Sequence, residues 1–195
     1  MVATFDPEII LEKEPLEKYI DSLSKRGEHL RFPSKTSSSG SYGVCLIVWD
    51  EVRDVIVMLP YKHKTGKRKN PKNQEAENPE ILSRICILSE TGLDIDEEER
   101  IFQLGNPFLN ENSDEFSIRK DFPKYTMLAK SFKGKIRNQN QVISEKNGPP
   151  VWIKRHLLKQ IFEKSFISLM GKIHKHSQLY AYNNFCDYYN RMYRL

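Results

Sequence analysis

Lysine and arginine crowd one short stretch of this chain. Tyr61 to Lys72, YKHKTGKRKNPK, carries Lys62, Lys64, Lys67, Arg68, Lys69 and Lys72, with Gly66 and Pro71 preventing regular structure. Such a loop can neutralise phosphates and wrap a nucleotide or an RNA backbone. A run of like charges can equally stay hydrated and do nothing more. Downstream, Asn110 to Asp121 holds Glu111, Asp114, Glu115 and Asp121 and reads as an acidic loop. His174 and His176 flank Lys175, a spacing that a strand could aim at one metal, yet no nearby Cys or acid completes a ligand set. Tyr180, Tyr182, Tyr188, Tyr189 and Tyr193 could stack on bases, although their helical spacing suits a core or a partner-facing surface better. No Ser-His-Asp order, Gly-rich P-loop or dinucleotide fingerprint is present. Cys45, Cys86 and Cys186 stand far apart and read as small buried hydrophobes in a reducing compartment.

The elements that must position these residues follow from hydrophobic periodicity. Residues 7 to 31 read as a leading helix interrupted at Pro15, and Phe32 to Gly43, FPSKTSSSGSYG, as a linker or mobile loop. Val44 to Trp49 and Val55 to Leu59 are apolar, β-branched runs joined by the polar DEVRD, which predicts a β-hairpin. Glu77 to Ile95, ENPEILSRICILSETGLDI, predicts an amphipathic helix with Ile81, Ile85, Leu88 and Leu82 on its oily face and Gly92 as its stop. Strands are expected at Ile101–Phe108 and Tyr125–Phe132, and helices over Val151–Phe166 and Tyr180–Leu195. The expected division is a helical extension with a Ser-rich linker over 1–41 and one domain over 42–195, since 195 residues leave little room for two complete domains.

Charged residues make up 29% and hydrophobic residues 38%, ordinary values for a soluble globular protein and far from those of a disordered one. No apolar run reaches bilayer-spanning length and MVATFDPEII lacks the order of a secretory signal, so no membrane partner is expected and a cytoplasmic location is. A net charge of +5 tilts the expected partners towards anions.

A hairpin, a basic loop, a helix ending in ETGLDI, further strands, and PPVWI before a late helix give an order that resembles the Nudix (MutT-like) hydrolase family over roughly residues 42 to 166. The family box reads Gly, five residues, Glu, seven residues, then Arg-Glu-U-x-Glu-Glu-x-Gly-U, with U aliphatic. Aligned on Gly92, the box places Glu77 on its first Glu, Ile87 on the first aliphatic position, Glu90 on the last Glu and Leu93 on the final aliphatic position. Pro71 stands at the first Gly, Ile85 at the Arg, Cys86 at the next Glu and Ser89 at the first Glu of the pair.

The resemblance implies an α+β fold, a Nudix-like α/β/α sandwich with a mixed sheet, here with an N-terminal helical extension and C-terminal helices. It also implies carboxylates on one helical face holding Mg²⁺ against a diphosphate. Glu77 and Glu90 are the implied metal ligands. Glu90 is also an implied catalytic group, together with an acid from Glu111, Asp114 or Glu115; Glu115 is the one assigned. Lys62, Lys67, Arg68 and Lys69 would bind the substrate phosphates. Cys86 is soft and Ser89 neutral, so neither replaces a carboxylate for Mg²⁺. The depleted box therefore points to a catalytically impaired module that binds or regulates through a nucleotide, another phosphate-containing ligand or RNA. The alternative is an active hydrolase of nucleoside-diphosphate-linked substrates with a rearranged carboxylate set.

Overall fold

The computed structural model describes residues 10–62, 78–109, 123–136, 148–162 and 172–193, the last without the side chains of 172–176. Its centre is the strand β4 (Gly43–Asp50), the continuous apolar run VCLIVW, buried on both faces. Val44, Leu46 and Val48 face one core cluster, while Cys45, Ile47 and Trp49 face the other, as the two-residue period of a strand requires. β5 (Val55–Tyr61) returns antiparallel through the predicted hairpin. In the turn, Asp50 Oδ1 accepts from Val52 N at 3.0 Å and Arg53 N at 3.1 Å, and Asp54 takes a left-handed φ of 53°.

Further along lie α2 (Pro79–Thr91), β6 (Phe102–Gln103), β7 (Lys124–Ala129) and β8 (Val151–Lys154). Ahead of the hairpin are β1 (Ile10–Leu11), α1 (Lys13–Lys25), β2 (His29–Arg31) and β3 (Ser34–Thr36). The sheet runs β1-β8-β5-β4-β7-β6, with β2 added on β5 and β3 on β4. It is mixed, because β4–β7 and β1–β8 pair parallel and the others antiparallel. Helix α2 covers one face through Leu82, Cys86 and Ile87. The other face carries Leu16 and Leu23 of α1 together with Ala181 and Phe185 of α4 (Lys172–Tyr193). The chain therefore forms the α/β/α sandwich with a mixed sheet that its sequence predicts.

Several local expectations change. The segment expected as a linker supplies β3, and the leading helix is confined to α1, flanked by β1 and β2. Val151–Lys154 is a strand rather than the start of a helix; a 3-10 turn at Arg155–Leu157 and the short α3 (Leu158–Gln160) follow it. The residues there are β-branched and aromatic, and two neighbouring strands, β5 and β1, outweigh the helical spacing of the leucines further on. In α2 the oily face is misplaced. Leu82 is buried, but Ile81, Ile85 and Leu88 face outward, and the inward face is completed by Ser83 and Thr91. Both hydroxyls donate to carbonyls one turn back, Pro79 O and Ile87 O at 2.6 Å, which makes their burial tolerable. No helix among the described residues is long and apolar enough to cross a membrane.

Candidate functional site

Helix α2 is firmly bounded. Asn78 caps it, its side chain accepting from Ile81 N at 2.8 Å, Pro79 opens it, and Gly92 closes it at a φ of 82°. That frame fixes Glu90, half a turn from the end, against the segment that joins β2 to β3. β4 and β5 pair through Trp49↔Ile56 and Asp50↔Val55; farther from the turn, β3 pairs with Gly43–Cys45 and β2 with Leu59–Tyr61. Residues 29–36 thus form a wedge between two diverging strands, with Pro33 at its bend.

The wedge is pinned from both faces of the sheet. On the α2 side, Arg31 Nη2 donates to Glu90 Oε1 at 3.1 Å and Ser34 N donates to Glu90 Oε2 at 3.1 Å. The pair is largely removed from water, with side-chain exposures of 5% for Arg31 and 16% for Glu90. The guanidinium also lies 4.5 Å from the centre of the Tyr61 ring, which meets His29 edge-on at 5.4 Å. On the α4 side, Gln178 Oε1 accepts from Phe32 N at 2.8 Å while its Nε2 donates to Phe32 O at 3.3 Å. Between them, Leu46 N donates to Pro33 O at 2.8 Å. The hydrogen bonds named here all fall on four consecutive residues, Arg31 to Ser34.

Two buried thiols border this arrangement. Burial pushes Cys45 up to about 11, against the opposing charges of Lys124 and Arg31. Burial likewise raises Cys86 well above the ordinary thiol value, helped by the charge of Glu90 and opposed by Arg31 and Lys35. Both remain protonated thiols at neutral pH.

Of the residues assigned from the sequence, Glu90 and Lys62 lie in the described part. They stand at opposite ends of β2: Glu90 holds Arg31, and Lys62 is exposed just past the His29↔Tyr61 pair, its stem passing the turn at Gly27. Glu77, Glu115, Lys67, Arg68 and Lys69 lie outside the described residues, as do Glu111, Asp114 and Asp121. His174 and His176 fall on helix α4, not on a strand. The C-terminal tyrosines fasten α4: Tyr189 and Tyr193 lie edge-on to Trp49 at 5.8 and 5.7 Å, and Tyr182 stacks on Phe162 at 4.6 Å.

At Glu90 itself a divalent ion would compete with a bound cation. Among the described residues no three His, Cys, Asp or Glu side chains are grouped to hold one. A cation joining Glu90 would meet the Arg31 guanidinium already on that carboxylate. Arg31, Ser34 and Gln178 are the residues that sequence reasoning missed. Arg31 sits at the end of a stretch read as helix, and nothing local ties position 31 to position 90.

No protein-family model matches the chain, and no curated protein does. Solved structures do. A MutT structure from work on the proteins of Aliivibrio salmonicida and Vibrio cholerae aligns at 14% identity over 81% of this chain and 98% of its own, with a TM-score of 0.44. A MutT protein from Bacillus halodurans aligns at 20% identity over 62% of this chain and 72% of its own, TM-score 0.43. A MutT Nudix hydrolase from Burkholderia pseudomallei aligns at 16% identity over 74% of this chain and 96% of its own, TM-score 0.44.

Proposed function

We infer that this chain is a Nudix-like module that binds a phosphate-containing ligand, a nucleotide or RNA, without hydrolysing it. The observation that carries the reading is the use made of Glu90. It is the one carboxylate left of the three that the box pairs would supply, and it is bonded to Arg31 and to the Ser34 amide. Its charge is balanced by a guanidinium, and its two oxygens secure the wedge between β4 and β5. A carboxylate so placed serves the fold, and a metal-dependent phosphoryl transfer would need several such groups directed at one ion.

The net charge of +5 and the lysines and arginine at 62, 67, 68 and 69 supply the anion-binding side of the proposal. Lys62 begins that run at the exposed end of β5. Mg²⁺, if present, would arrive with the ligand's phosphates rather than as a resident of the protein.

The test is a titration with a fluorescent nucleoside diphosphate and, separately, with a short single-stranded RNA, each with Mg²⁺ and with EDTA. Binding should survive EDTA, weaken with salt, and weaken further when Lys67, Arg68 and Lys69 are changed to Gln together. The probe that binds more tightly identifies the ligand class. Turnover that requires Mg²⁺ or Mn²⁺ would overturn the reading in favour of the active hydrolase.

A further inference from the structure

Helix α2 has a second apolar side. Ile81, Ile85 and Leu88 are 47%, 39% and 47% exposed, and their spacing of four and three places them in one stripe along the outer face. An outward Ser or Lys at any of these positions would serve solubility better, so the stripe is uncommon for a surface helix. Beside it runs a fixed acidic rim. Arg84, one position from Ile85, donates to Ile95 O at 3.2 Å and Asp96 O at 2.6 Å, to the carbonyl of Glu99, and to the carboxylate of Glu80. This one guanidinium ties the turn after α2 to the flank of the stripe. The same turn is secured on its far side by the backbone bridge between Asp94 and Lys133 and by the Lys133–Asp96 ion pair. Asp94, Glu97, Glu98 and Glu99 are exposed on it.

We propose that the outer face of α2 is a docking surface for a basic amphipathic helix of a partner protein. Ile81, Ile85 and Leu88 would receive its apolar positions, and Glu97 and Glu98 would face its lysines or arginines. Charge complementarity selects this occupant. On a chain whose net charge is +5, a local rim of carboxylates repels acidic partners and anionic membrane and attracts a cationic segment. The apolar stripe at helical spacing suits a helix laid along it. This surface is separate from the Arg31–Glu90 site and does not depend on what that site binds.

The experiment uses the full chain with a fluorescein-labelled Leu/Lys amphipathic helix peptide, its Leu/Glu counterpart, and vesicles of anionic lipid, each followed by anisotropy or co-sedimentation. The Leu/Lys peptide should bind and the other two should not. I85D should weaken it roughly tenfold or more, the loss expected when a central apolar anchor is removed. E97K with E98K leaves the stripe intact and should abolish the preference for the basic peptide. Thermal melts of both variants, which alter only exposed positions, should match the parent chain. Equal binding of the Leu/Glu peptide, binding untouched by I85D, or vesicle capture would overturn the proposal. So would a concentration-dependent dimer that I85D dissociates, since the face would then belong to a second copy of this chain.

Discussion

Changing Glu90 to Gln tests whether this carboxylate holds the fold. The substitution keeps the shape of the side chain and one acceptor oxygen, and removes the charge that balances Arg31. Removing one partner of a buried ion pair costs about 3–5 kcal/mol, because the other charge is left uncompensated. Arg31 is 5% exposed and Glu90 is 16% exposed, so water reaches the carboxylate end a little. The Gln amide oxygen can still accept from either Arg31 or the Ser34 amide. Both corrections reduce the expected loss to about 2–3 kcal/mol. For a chain of this size each kcal/mol moves Tm by about 2–4 °C, so the shift should lie at roughly 4–12 °C. Urea denaturation followed by Trp fluorescence measures the loss directly. In the double variant R31M/E90L both charges leave together, and its loss should be smaller than the sum of the single losses by about 1–3 kcal/mol. Stability of E90Q within about 0.5 kcal/mol of the parent chain would refute the bracing role.

Three further outcomes are expected. Q178L removes the amide that serves both Phe32 N and Phe32 O from the other face of the wedge, and should cost about 2–4 kcal/mol in urea denaturation, since both backbone groups lose a buried partner. Cys45 is raised from 9.0 to about 11 by burial, so the folded state holds its proton more tightly than the unfolded chain. Its contribution to stability is complete below pH 9.0, is lost as pH rises towards about 11, and should shrink in C45A when urea midpoints are compared across that window. Gly92 closes α2 at a φ of 82°, so G92A should cost about 1 kcal/mol by the same assay, with no change in the helix itself by far-UV circular dichroism.

Much of the fold was legible because it rests on local patterns. VCLIVW and VIVML around a polar five-residue loop could hardly be anything but paired strands, and Gly92 stops a helix by its own backbone freedom. Errors came where tertiary packing overrode local pattern. The apolar residues of α2 lie on two sides of the helix, and sequence periodicity cannot say which side meets the sheet. Burial of Ser83 and Thr91 inverted the choice, because hydroxyls that bond the preceding turn can sit in a core. The strand at Val151–Lys154 was hidden by the leucines that follow it.

The candidate site was less legible. Glu90 stood out through the box it completes, but its partner is 59 residues earlier, at the end of a segment whose periodicity reads as helix. Pro33 and the serines after it signal irregular chain, and that signal is right about the bend. It cannot show that the bend is wedged between β4 and β5, or that Glu90 and Gln178 reach it from opposite faces.

The proposed role is that of a ligand-binding module whose last box carboxylate braces the fold. A nucleoside diphosphate titration, with product formation followed in the same Mg²⁺-containing samples and repeated in EDTA, tests it most directly. The account predicts binding in both buffers and no product in either. Mg²⁺-dependent product that disappears in E90Q, with E90Q as stable as the parent chain, would contradict it.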